Sequence, residues 1–198
     1  MKKIYMLALA VLLSSSAFAQ NGYQIGAKVE DFTLKNEQNQ SVQLSSFNDA
    51  QVVVVVFTSV KCPYAKSYEA RLQSLDQTYS ARGIRFVYVN AAIGLDEGAA
   101  PKAQPDGANT AAQDFPYLID EGQQLSKQFG ATKAPEVFVL QNTADGFHLR
   151  YKGAIDDNPQ VPSYVKQKYL ANALDNLIAG RPVATADQRA TGCMIKRF

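Results

Sequence analysis

Two cysteines, Cys62 and Cys193, are the residues of this chain best suited to chemistry. Cys62 follows a run of five valines and Phe57 closely, and it directly precedes Pro63. Such an apolar, β-branched run is typical of a strand buried on both faces, and proline is favoured at the first position of a helix. Cys62 is therefore predicted at a strand–helix junction. Unpaired N–H groups and the helix dipole stabilise a thiolate there, which lowers the pKa of a cysteine below about 8.5.

The neighbours of Cys62 favour a reactive thiol over an inert one. Lys61 adds positive charge if its side chain points toward the sulfur, and a thiolate, rather than a thiol, attacks disulfides and peroxides. The alternative is that Cys62 is a small buried hydrophobic residue, a common role for cysteine. Its position at the junction favours the reactive interpretation.

A strand, a helix and a second strand surround Cys62 in the predicted topology. After Pro63, apolar residues recur at helical spacing, and Gly83 is a natural end for this helix. The residues of that face are Tyr64, Tyr68, Leu72, Leu75 and Tyr79. Residues 84–89 then read as a second buried strand, which makes a βαβ unit with a right-handed crossover.

The remaining elements follow from local patterns. A hairpin is predicted over residues 32–35 and 41–44, and a long loop over Ala91 to Ala112 with one short helix near 109–113. The other predicted elements are an extended piece at 115–119, a helix at 121–129 closed by Gly130, a core strand at 136–140, an edge strand at 147–151 with His148 facing outward, and a last helix capped by Ser163 and ended by Gly180.

The N-terminus has the pattern of a secretory signal peptide. Lys2 and Lys3 precede an apolar run of residues 4–13, and Ala17-Phe18-Ala19 supplies a cleavage site after Ala19. Ten apolar residues are too few to cross a hydrocarbon core, which needs roughly 20 in a helix. We predict a signal peptide at 1–19, one domain at 20–180 and a tail at 181–198 that carries Cys193. The expected location is periplasmic or secreted, without a stable membrane anchor.

The composition limits the partners and cofactors. A net charge of +2 gives no reason to expect nucleic acid as a partner. No group of Cys and His residues has structural zinc spacing, so we expect neither a metal nor another cofactor.

Several segments resemble the thioredoxin-like superfamily, including exported TlpA/ResA-type thiol reductases and AhpC/TSA peroxiredoxins. The segments are Asp31-Phe32-Thr33-Leu34, Phe57-Thr58-Ser59, Cys62-Pro63-Tyr64, Ala134-Pro135-Glu136-Val137-Phe138, Tyr151 to Asn158, and Gly192 to Lys196. The resemblance implies an α/β fold of three layers, α/β/α, with a central mixed sheet. It also implies a cis-proline at Pro135 that packs against Cys62 and shapes a substrate groove; a plain trans turn is the alternative.

The chain departs from both families at informative positions. Thioredoxins carry Cys-x-x-Cys, but Ala65 occupies the position of the second cysteine. Peroxiredoxins carry Pro-x-x-x-Thr-x-x-Cys, and here Ser59 stands at the threonine position while Val55 replaces the proline. The missing cysteine directs attention to Cys193. Three arrangements remain open: a redox pair with Cys62, a permanent structural disulfide, or two unpaired thiols.

The leading hypothesis is a periplasmic thiol-based oxidoreductase, either a thiol–disulfide reductase or a thiol peroxidase. Cys62 would be the nucleophile and Cys193 the resolving cysteine. Ser59, Lys61, Pro63, Tyr64, Ala134 and Pro135 would line the substrate site. Its partners would be a protein disulfide or a hydroperoxide and a periplasmic thiol as electron donor. The rival hypothesis is a non-catalytic binding domain in which Cys62 and Cys193 form a structural disulfide.

Overall fold

The computed structural model describes residues 22–94 and 117–196. The predicted signal peptide, most of the predicted loop at 91–112 and its short helix at 109–113 lie outside these residues. Among the described residues, no helix is long and apolar enough to cross a bilayer.

The described residues form strands and helices in an alternating order. The strands are β1 (Thr33–Asn36), β2 (Ser41–Gln43), β3 (Val52–Thr58), β4 (Ile84–Asn90), β5 (Tyr117–Ile119), β6 (Lys133–Ala134), β7 (Glu136–Thr143), β8 (Gly146–Gly153), β9 (Asp187–Gln188) and β10 (Cys193–Met194). The α-helices are α1 (Pro63–Ser80), α2 (Gln124–Phe129) and α3 (Tyr169–Ile178). Short 3-10 turns occur at Leu44–Phe47, Glu121–Gln123 and Pro162–Tyr164.

Within the described residues, the main sheet has the order β2-β1-β5-β4-β3-β7-β8-β9. Its central strand β3 runs parallel to β4 and antiparallel to β7. The sheet is therefore mixed, as predicted, and the β3–α1–β4 unit is the predicted βαβ unit. β10 lies outside this sheet and pairs antiparallel with β6.

The valines of β3 face alternately to two cores, because successive side chains of a strand point to opposite faces. Val52, Val54 and Val56 pack with residues of α1 and α3. Val53, Val55 and Phe57 pack on the other face with α2 and the lead-in before β1. Helices or loops cover both faces, and this explains why β3 is an uninterrupted apolar run.

Two predicted helices differ from the structure. Helix α3 begins at Tyr169, six residues after the predicted cap Ser163, which instead lies in a 3-10 turn. The intervening segment is tied to Asp157: the N–H of Asp157 donates to Gln167 O (3.1 Å), and Lys166 N–H donates to Asp157 Oδ1 (2.9 Å). The helix predicted at 121–129 is interrupted because Gly122 and Gln123 have positive φ angles of 67° and 54°.

The strand predicted at the sheet edge, β8, has partners on both sides. The lead-in contacts it through a bridge between Lys28 and His148, and β9 pairs with Lys152 and Gly153. His148 is therefore partly covered, and its ring nitrogens lie 3.0 Å from Gly26 O and 3.1 Å from an Asp145 carboxylate oxygen. The prediction failed because both covering segments are distant from β8 in sequence.

Candidate active site

Cys62 lies between the end of β3 and the start of α1, as predicted. It is the N-cap residue of α1, with extended backbone angles (φ −88°, ψ 119°), and Pro63 occupies the first turn. The Cys62 carbonyl accepts the N–H of Lys66 (3.1 Å), and the Cys62 N–H donates to the Ser59 carbonyl (3.0 Å). These contacts hold the Cys62 backbone at the positive end of the helix dipole.

The structure joins Cys62 and Cys193 in a disulfide bond with a Cα–Cα distance of 6.0 Å. The Sγ atom of Cys62 also lies 3.0 Å from the carbonyl oxygen of Ala134. The peptide bond between Ala134 and Pro135 is cis. Cys62 is only 1% exposed in this state, so the bonded tail and the cis-proline loop close over its sulfur.

The other predicted site residues are arranged unequally around Cys62. Ser59 and Pro135 are buried, whereas Lys61 and Pro63 are exposed. Tyr64 is half-buried and packs against the same core cluster as Cys62 and Cys193. Ser59 and Ala134 contact Cys62 through their backbone carbonyl oxygens, and the types of these two residues gave no sign of such contacts.

Glu136 is a site-shaping residue that the sequence interpretation missed. Its Oε2 atom accepts the N–H groups of Thr132 (2.6 Å) and Lys133 (2.9 Å). Burial raises the pKa of Glu136 above its usual range, although these hydrogen bonds act in the opposite direction. Glu136 thus fixes the backbone that leads into Ala134 and Pro135. A carboxylate placed directly after proline, at the start of a buried strand, was the available signal.

Gln123 has a similar role on the opposite side of Cys193. Its side chain is 1% exposed, and its Nε2 donates to the carbonyl of Ala92 (2.7 Å). The Ala92 carbonyl also accepts the N–H of Lys196 (2.9 Å) from the tail. Gln123 therefore positions the segment that flanks the tail, and no sequence pattern linked it to residues about 30 positions earlier.

Asp156 belongs to a buried polar cluster behind α1. It accepts the Tyr68 hydroxyl (2.8 Å) and the Asn158 N–H (3.0 Å) through Oδ1, and Arg71 Nη1 (2.6 Å) through Oδ2. Burial and the hydrogen bond to Asp156 raise the pKa of Tyr68 above its usual range. The carboxylate therefore anchors α1 to the loop after β8.

Other features of the described residues lie away from Cys62. In this part of the chain, no group of three or more His, Cys, Asp or Glu side chains is arranged to hold a metal ion. An open groove of about 680 Å³ lies between β1 and the segment that contains α2; its lining includes Asn36 and Asp120 and none of the predicted site residues. The groove is therefore separate from the disulfide.

Comparisons with known proteins agree with this architecture. The family model described as AhpC/TSA family matches residues 25–161. No curated protein sequence matches the chain significantly. Among solved structures, a hypothetical protein from Sinorhizobium meliloti 1021 is 27% identical, with a TM-score of 0.76 over 89% of this chain and 96% of its own.

Two more distant structures carry names from different redox chemistries. The peroxidoxin BcpB from Mycobacterium tuberculosis is 17% identical, with a TM-score of 0.57 over 80% of this chain and 98% of its own. A putative thiol:disulfide interchange protein DsbE from Chlorobium tepidum is also 17% identical, with a TM-score of 0.58 over 79% and 99%. These similarities confirm the thioredoxin-like fold, and they do not distinguish peroxide reduction from thiol–disulfide exchange.

Proposed function

Since the chain belongs to the AhpC/TSA family, a family of thiol-dependent oxidoreductases, we propose that it is an exported enzyme with Cys62 as nucleophile and Cys193 as resolving cysteine. The observation that carries the proposal is the disulfide between Cys62, at the N-terminus of α1, and Cys193 in the tail. The disulfide corresponds to the oxidised state of such a pair. The cis-proline loop beside Cys62 supports the assignment.

The two candidate reactions differ in the first step and converge on the same disulfide. With a disulfide substrate, the Cys62 thiolate attacks one sulfur, forms a mixed disulfide and releases the other sulfur as a thiolate. With a hydroperoxide, it attacks the terminal oxygen, breaks the O–O bond and becomes a sulfenic acid, and the released alkoxide takes a proton from water to give an alcohol. Cys193 then attacks the Cys62 sulfur and releases the second thiolate or water. An external thiol donor supplies two electrons to restore both thiols.

The site residues have distinct parts in this cycle. The first-turn N–H groups of α1 stabilise the thiolate. The buried Ser59 lies three residues before Cys62, and its carbonyl fixes the backbone of the nucleophile. The Ala134–Pro135 loop forms one wall next to the sulfur. Lys61, next to Cys62 in sequence, is exposed, and its charge favours approach of anionic substrates or donors.

An oxidising compartment suits a chain whose two cysteines are joined. The signal-peptide pattern that ends at Ala19 supports export, and disulfides persist outside the cytoplasm. We therefore extend the proposal to a periplasmic or secreted location. Fractionation of cells that express the full chain tests this, since a cytoplasmic protein retaining residues 1–19 would contradict it.

The enzymatic and structural interpretations predict different reduction potentials. A cycling disulfide should have a potential above about −300 mV, whereas a structural one should lie below that value. Equilibration in dithiothreitol buffers of defined ratio, followed by alkylation and mass measurement, gives the potential. A value below this limit would favour a non-catalytic domain with a structural disulfide.

Two single variants separate nucleophile from resolving cysteine. Cys62→Ser and Cys193→Ser abolish the same disulfide, so each controls for the stability loss of the other. We expect Cys193→Ser to react once with glutathione disulfide or cumene hydroperoxide and then fail to turn over, while Cys62→Ser does not react. Equal reactivity of the two variants would overturn the assignment. The substrate that reacts faster with Cys193→Ser distinguishes reductase from peroxidase.

A further inference from the structure

The tail residues 192–196 lie as one extended strand between two backbone edges. On one side, Cys193 pairs with Ala134 and Met194 with Lys133, and Ile195 N–H donates to Thr132 O (3.0 Å). On the other side, Gly94 N–H donates to Met194 O (3.2 Å), and Lys196 N–H donates to Ala92 O (2.9 Å). We call the space between residues 92–94 and 132–134 the strand slot. The strand slot accepts a single extended chain with hydrogen bonds on both edges.

Both edges of the strand slot are held by groups outside the tail. Glu136 binds the N–H groups of Thr132 and Lys133 on one edge. On the other edge, Gln123 binds the Ala92 carbonyl, and Ala91 N–H donates to Thr58 O (2.8 Å). Because these contacts do not involve residues 192–196, we expect the strand slot to keep its walls when the tail leaves.

The strand slot selects side chains at two positions around the cysteine. A Cβ atom added to Gly192 would overlap the carbonyl of Ala134, so only glycine fits before the cysteine. Two positions after it, Ile195 is 4% exposed and joins the main core cluster, which requires an aliphatic side chain. The intervening Met194 is 59% exposed, with its sulfur 2.8 Å from Lys133 Nζ, so that position selects side chains only weakly. The strand slot therefore fits a segment with the sequence Gly-Cys-x-aliphatic, where x is any residue.

We propose that the strand slot binds an extended segment of a protein substrate that carries Gly-Cys-x-aliphatic, and that the tail is the internal competitor for this site. The inference rests on the proposed function and narrows its substrate class to protein disulfides. The Cys62 thiolate attacks the substrate cysteine, which forms the mixed disulfide and releases that cysteine's former partner as a thiolate. The substrate segment then leaves the strand slot while still bonded to Cys62, the tail re-enters, and the Cys193 thiolate attacks Cys62, which releases the substrate cysteine as a thiolate.

Synthetic peptides test the sequence requirement. The probe is Thr-Gly-Cys-Met-Ile-Lys with its cysteine linked to thionitrobenzoate, whose release reports attack by Cys62 of the full-length Cys193→Ser protein. Replacing the peptide glycine by valine, or its isoleucine by aspartate, should slow the reaction about tenfold or more, because the first clashes and the second loses apolar burial. Replacing methionine by glutamine is the control and should change the rate less than about twofold. Equal rates for all four peptides would overturn the inference.

A second variant tests competition by the tail. Gly192→Val, added to Cys193→Ser, should push the tail out of the strand slot and accelerate the reaction of the unmodified peptide, with folding checked by circular dichroism. An unchanged rate in a folded protein would show that the tail does not compete.

Reaction with Ellman's reagent, a disulfide without a peptide sequence, distinguishes failure of the proposed function from failure of the inference about the strand slot. If Cys193→Ser fails to react with this reagent, the proposed function fails; if it reacts but peptide sequence has no effect, only the inference fails.

Discussion

Glu136 illustrates how a single buried carboxyl group shapes the site next to Cys62. It stands directly after Pro135 and binds two backbone N–H groups of the preceding turn. Both hydrogen bonds are part-buried, and the loss of each would cost about 1 kcal/mol. A glutamine can also accept these hydrogen bonds, which separates the effect of the charge from the effect of the contacts.

We predict that Glu136→Gln changes the pH dependence of stability. Burial raises the pKa of Glu136 in the folded state. The protonated form therefore stabilises the fold at low pH, and that contribution is lost as pH rises through the folded-state pKa. Relative to wild type, the variant should gain stability as pH rises above about 4, the ordinary range of a glutamate, and up to the folded-state pKa, measured by urea unfolding with the disulfide intact. Glu37→Gln removes an exposed carboxylate and is the matched control for the loss of one negative charge. A Glu136→Gln curve parallel to wild type would contradict the prediction.

Residue types alone identified the two cysteines but not the groups that support them. Cys62 was predictable because a valine run and a proline flank it within the local sequence. The contacts of Asp156 with Tyr68 and Arg71 span more than 80 positions. Such pairs leave no local pattern, because the fold alone brings them together.

At the scale of elements, the pairing of β9 with β8 depends on a close approach between the backbones of Gly153 and Gln188. Gly153 ends β8 with φ 119°, and a Cβ at this position would overlap the carbonyl of Gln188 in β9. The contact fixes where residues 187–188 join the sheet. It also covers the end of β8, which would otherwise expose unpaired backbone groups.

Gly153→Ala is therefore predicted to destabilise the protein more than a comparable change elsewhere. Gly180 also has a positive φ angle, 68°, but nothing lies within 4 Å of its added Cβ. Gly180→Ala should cost about 1 kcal/mol from backbone strain alone. Gly153→Ala should cost about 2 kcal/mol or more, because overlap adds to strain. Urea unfolding of both variants measures this difference, and equal losses would show that β9 is not held at Gly153.

Strands were easier to predict than helix ends. The alternation of β8 and the valine run of β3 record burial directly in the sequence. The start of α3 was misplaced because Ser163 is a good capping residue locally, whereas contacts of Asp157 hold the following segment extended. Local preference is a weak guide where a distant loop competes for the same backbone groups.

At the scale of the whole molecule, the disulfide links the end of the central strand to the tail across 131 residues. A cross-link of this span restricts the unfolded chain strongly. We predict that reduction, or either cysteine-to-serine variant, lowers the free energy of unfolding by about 2–4 kcal/mol. Urea unfolding with and without reductant tests this. No loss on reduction would show that the bond adds nothing to the fold's stability, while different losses for the two serine variants would indicate an effect beyond the cross-link.

The overall architecture was predictable where motifs and periodicity agreed. The mixed sheet and the βαβ unit around Cys62 follow from runs of residues that are contiguous in sequence. The path of residues 181–196 was not predictable, because the tail forms two short strands, β9 and β10, whose partners lie elsewhere in the chain. Its order comes from pairing with edges already built, rather than from any pattern of its own.

The position of Cys193 also bears on oxidative folding. With two cysteines in the sequence, one intramolecular bridge can form, so no misbridged isomer competes with the native one. During synthesis Cys62 emerges long before its partner, and every strand of the main sheet precedes Cys193 in the chain. The bridge can therefore close only after all the described strands of the main sheet have been synthesised, so oxidation cannot act on the growing chain before that point.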